Sequence, residues 1–64
     1  MCQIRVYMEQ DGKEKLLLDD VTRLSIDNDG ITVSTLFTGP AEIKKTVIRS
    51  IDFMAGKVLL EATP

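Results

Sequence analysis

Few residues in this chain of 64 are suited to chemistry. There is one cysteine, Cys2, and there is no histidine and no tryptophan. The missing imidazole removes the commonest general base and the commonest metal ligand. A nucleophilic Cys2 would lack the base that normally activates such a thiol, so the chain reads as a non-enzyme. Two readings of Cys2 stay open. One is a small buried hydrophobe on an edge strand, since free cysteine is among the most buried residue types. The other is a metal ligand, for which the thiolate is the active form and a nearby cationic α-amine favours it. The Met1 amine, the Cys2 peptide nitrogen and the Cys2 thiolate can close adjacent five-membered chelate rings around one metal. If Met1 is removed, the amine passes to Cys2. Nitrogen and sulfur donors held near a plane suit Ni(II) or Cu(II), whereas zinc asks for a tetrahedron of thiolates and imidazoles. One chain does not complete an N2S2 plane comfortably. Two chains about a two-fold axis would bring Cys2 against its own copy.

The remaining candidates have plainer explanations. Asp19 and Asp20 are adjacent, so on a strand they point to opposite faces and make a turn rather than a carboxylate dyad. Asp27 to Gly30 begins like a calcium loop but lacks the later spacing and the terminal Glu of an EF-hand, which leaves a hairpin turn. Lys44, Lys45, Arg49 and Arg23 could touch phosphate, but acidic residues are interspersed and a solvated face is the default. Met8 and Met54 read as core fillers. Tyr7 and Phe37 are two rings without a basic surround, which is weak ground for base stacking.

These side chains must be carried by short elements. Cys2, Ile4, Val6 and Met8 share one phase, and Gln3, Arg5, Tyr7 and Glu9 share the other, which is the period of a half-buried strand. Asp11-Gly12 marks a hairpin. Residues 13–20 fit either a return strand or a helical turn, because Leu16, Leu17 and Leu18 are strong helix formers; the preceding hairpin favours the strand. The next strand turns Leu24 and Ile26 inward, Asn28-Asp29-Gly30 forms a second hairpin, and Ile31, Val33 and Thr35 share a phase in the strand that follows. Thr38-Gly39-Pro40 breaks the chain. Residues 41–53 form one bent strand or two; Ile48 and Ile51 are three apart, which predicts a register shift or bulge between them. A turn at Gly56 leads to the final strand, Val58–Glu61.

The sum predicts an all-β chain of six or seven short antiparallel strands, closed into a small SH3-like or Sm-like barrel and forming one domain over residues 1–64. A domain of this size has a marginal core and needs a staple. A single cysteine cannot form an internal disulfide, so oligomerisation or metal remains, and a homodimer is expected. Hydrophobic content of 44% is too high for disorder. No apolar run approaches the ~20 residues of a membrane span, and the start lacks the pattern of an export signal. With a free thiol, this gives a cytoplasmic expectation. A net charge of −2 argues against general binding to nucleic acid.

The sequence resembles the CooT family. The resemblance rests on the initial Met1-Cys2, Val6-Tyr7, the Asp11-Gly12 turn, Asp19-Asp20-Val21, a second Asp-Gly turn leading to Leu36-Phe37, then Ile48–Phe53 and Val58–Glu61. It departs from the family pattern at Thr38–Glu42, where a Gly followed directly by an acidic residue is expected. The resemblance implies a homodimeric β-barrel in the cytoplasm, with Ni(II) bound through Cys2. It also implies a role as nickel carrier or store in maturing carbon monoxide dehydrogenase, with that enzyme or its maturation proteins as partners. The Met1 amine joins Cys2 as a metal ligand by the chelate argument above. The alternative is an RNA-binding module on an Sm-like barrel, which the acidic charge ranks lower.

Overall fold

The computed structural model describes residues 3–63. Seven strands follow in order: β1 Arg5–Gln10, β2 Lys13–Leu18, β3 Val21–Ile26, β4 Gly30–Thr35, β5 Ala41–Lys44, β6 Thr46–Asp52 and β7 Lys57–Ala62. Residues 13–18 are a strand, as the hairpin before them suggests. Asp11 and Gly12 adopt φ of 54° and 79°, the pair of positive values that a two-residue hairpin turn demands.

The expected closed antiparallel barrel is corrected in two respects. The strands form two separate sheets, β2-β1-β7-β6 and β3-β4-β5, and β1 pairs with β7 in parallel. The breaks have a local cause. The chain leaves the first sheet through Asp19-Asp20, and it leaves the second through Lys45. Asp20 and Lys45 both take positive φ, 52° and 55°. Each is a sharp corner that redirects the chain from one sheet to the other, as in packed sheets whose strands switch layers. The ladders do not continue across these corners among the described residues.

The two sheets enclose the core. Val6, Val58 and Leu60 face Val21, Ile31 and Val33, and Ile4, Met8, Leu18, Leu24, Ile43 and Ile48 pack around them. Three register shifts make this possible. The pairing slips between Val6 and Tyr7 against β2, between Val21 and Arg23 against β4, and between Ile48 and Ser50 against β7. Each extra residue lets apolar side chains three apart share one face: Val21 with Leu24, and Ile48 with Ile51, the latter as the sequence predicts. In β2 the slip leaves Leu18 on the core, sets Leu16 opposite Tyr7 and strands Leu17 between them. Leu59 is also buried, but on the outer face, where its parallel partner is Tyr7. No helix of the described residues is long and apolar enough to cross a membrane.

Candidate functional site

Met1 and Cys2, the predicted metal ligands, lie outside the described residues. Among the described residues no group of three or more His, Cys, Asp or Glu side chains could hold a metal ion. Several carboxylates are engaged elsewhere. Asp19 pairs with Arg5 at 3.3 Å and caps the Asp20 amide at 2.9 Å. Asp52 accepts the amides of Met54 and Ala55, both at 3.0 Å, and so forms the β6–β7 turn. With one thiol and no imidazole in the chain, no donor set converges among the described residues. This overturns the reading of the chain as a nickel carrier that holds Ni(II) through Cys2 thiolates and N-terminal nitrogens at a dimer interface.

The candidate phosphate contacts are also dispersed. Arg49 is held on the first sheet between Glu9 at 3.1 Å and Glu61 at 3.0 Å. Lys44 stands 3.7 Å from Glu42 on the second sheet, where Arg23 also lies. These cations do not form one strip. Lys57 bonds Glu14 across β1 and lies 5.0 Å from the centre of the Tyr7 ring. Its bond to Glu14 raises its proton affinity above the ordinary lysine value, against a smaller opposing effect of desolvation. Arg5 is likewise raised, first by its hydrogen bond to Asp19.

What the fold does assemble is an apolar end around the root of the N-terminal segment. The Arg5 amide donates to Gly56 O at 2.8 Å, the Val21 amide to Ile4 O at 3.0 Å, and the Leu36 amide to Asp20 O at 2.9 Å. These bonds tie four stretches together: residues 3–5, the β2–β3 corner, the end of β4 and the β6–β7 turn. Gly56 takes φ of 67°, and a Cβ there would meet Gln3 O at 2.5 Å, so only glycine allows the turn to close on the N-terminal segment. Large apolar side chains crown this end. Leu36 is exposed, and Phe37, Phe53 and Met54 are 79%, 86% and 99% exposed. Met54 is therefore not a core filler. Sequence reasoning missed this cluster, although one signal was present: Phe53-Met54 and Leu36-Phe37 sit beside turn residues, where apolar side chains cannot reach a core.

A family model described as CO dehydrogenase accessory protein CooT matches residues 1–61. A crystal structure of a candidate CooT from Carboxydothermus hydrogenoformans has the same fold, with a TM-score of 0.85 and 24% sequence identity, over 98% of this chain and 100% of that one. No curated protein matches the chain.

Proposed function

The chain belongs to the CooT family of CO dehydrogenase accessory proteins, and from that premise we propose that it serves carbon monoxide dehydrogenase by docking. It is an accessory protein and not an enzyme. One observation carries the docking reading: Leu36, Phe37, Phe53 and Met54 stand exposed at the end where residues 3–5 are clamped. Soluble monomers rarely leave so large an apolar cluster uncovered without a partner for it, and aromatic side chains at an interface centre carry much of the binding energy. The partner is the enzyme or one of its maturation proteins. The family's association with nickel handling enters as the cargo of that complex. The setting is the cytoplasm, where a lone thiol stays reduced. A homodimer fits the same reading, since a small core gains from a second copy.

The test is titration calorimetry of the purified chain against purified carbon monoxide dehydrogenase, anaerobically. Phe37→Ser combined with Phe53→Ser should weaken binding roughly 30-fold, about 2 kcal/mol. Both side chains are exposed, so circular dichroism should remain that of the parent. Val47→Ser, on the outer face of the first sheet, should bind as the parent does. Undiminished affinity in the double variant would sink the docking reading.

A further inference from the structure

The opposite end of the molecule carries a second feature. Ile26 pairs with Ile31 across β3 and β4, and cross-strand partners share a face. Ile31 lies in the core, so Ile26 is also on the core side. Yet Ile26 is 73% exposed, because the first sheet does not extend over the end of β3. The inter-sheet core is therefore open here, and its mouth forms a cavity of about 680 Å³. Ile26, Ile31 and Ile48 supply an apolar floor, with Val47 at the rim. The walls are the β3–β4 turn and the Lys45 corner. They are pinned to each other by the Lys45 amide donating to Asp29 O at 2.6 Å, and the corner residue is left-handed, a conformation often held at ligand clamps. Volume and lining match those of small-molecule sites, which are concave, mostly apolar and edged by a few polar groups.

Charge narrows the occupant. Asp27 and Asp29 face the cavity, as do Lys44 and Lys45, so the lining carries two charges of each sign. Asp27 already accepts the Thr32 hydroxyl at 2.8 Å, and Lys44 stands beside Glu42. The lining thus offers no net attraction to an ion of either sign. We propose that this mouth of the core binds an uncharged, mainly apolar small molecule, such as an aromatic ring system or a short alkyl chain. The site is separate from the apolar docking end.

The experiment uses the neutral fluorophore N-phenyl-1-naphthylamine with the intact chain. Binding should raise and blue-shift its emission, and should perturb the NMR methyl signals of Ile26, Ile31 and Ile48 while leaving those of Leu36 and Met54 in place. Ile26→Gln, at an exposed position that folding tolerates, should weaken binding at least tenfold. Phe37→Ser with Phe53→Ser should leave it unchanged. The sulfonated analogue 8-anilinonaphthalene-1-sulfonate should bind more weakly. The proposal is overturned if Ile26→Gln has no effect, if only the double phenylalanine variant loses the probe, or if the sulfonated analogue binds as well. None of these outcomes bears on docking to carbon monoxide dehydrogenase, which is read in a separate titration.

Discussion

At the scale of single residues, Gly56 is constrained both by its φ and by the backbone of Gln3. Replacing it with alanine asks an L-residue to hold φ of 67° and drives a methyl group to 2.5 Å from Gln3 O. Strain of this kind costs on the order of 1–3 kcal/mol, and the clash must be relieved by moving residues 3–5. Gly56→Ala should therefore lower the midpoint of urea denaturation, and should speed amide exchange at Arg5, whose hydrogen bond ends on Gly56 O. Lys57 makes a prediction of a different sort. Its bond to Glu14 raises its folded-state pKa above the ordinary 10.5. The folded chain holds that proton more tightly than the unfolded chain does, so the pair's contribution is full below pH 10.5. It is lost as pH climbs from there through the raised value. Alkaline denaturation followed by circular dichroism should show this decline in the parent, and a shallower one in Lys57→Met.

At the scale of elements, the bulges decide which side chains reach the core. Deleting Arg49 would restore regular pairing between β6 and β7 and would leave Ile48 and Ile51 two apart, which on a regular strand is still one face. Ile48 and Ile51 then keep their places opposite Leu60 and Val58. The expected outcome is a chain that still melts cooperatively in a thermal scan, as should Arg49→Ala, which keeps the bulge and loses the bonds to Glu9 and Glu61. The elements themselves were legible in the sequence. Alternation located β1, β3 and β4, the Asp-Gly and Asn-Asp-Gly stretches located their turns, and the spacing of Ile48 and Ile51 foretold the β6 bulge. Local periodicity also put Ile26 on the inner face correctly. It could not say that the opposite sheet stops short of it, because that depends on strands far away in the chain.

At the scale of the whole molecule, the sequence was less informative, for a physical reason. The parallel pairing of β1 with β7 joins residues such as Arg5 and Lys57, and no local pattern marks such a partner. A closed antiparallel barrel was the simplest way to join consecutive hairpins, and the corners at Asp20 and Lys45 defeated it by adopting left-handed backbone, which Asp tolerates in any turn and Lys does not announce. The apolar docking end was hidden for the same reason. Its parts come from residues 3–5, 36–37 and 53–56, which are brought together only by folding. The predicted metal ligands, Met1 and Cys2, fall outside the described residues, and no converging donors stand among the described ones.

The parallel pair also governs how the molecule comes into being. The two central strands of the larger sheet are the first and the last in the chain. During synthesis β1 has only β2 beside it until β7 has emerged, so the middle of that sheet assembles after translation has passed every other strand. Contacts so distant in sequence slow folding. A nascent chain stalled before Lys57 would hold Val6 and Met8 without the Val58 and Leu60 that pair beside them, and would present an unfinished sheet edge to chaperones or to neighbouring chains.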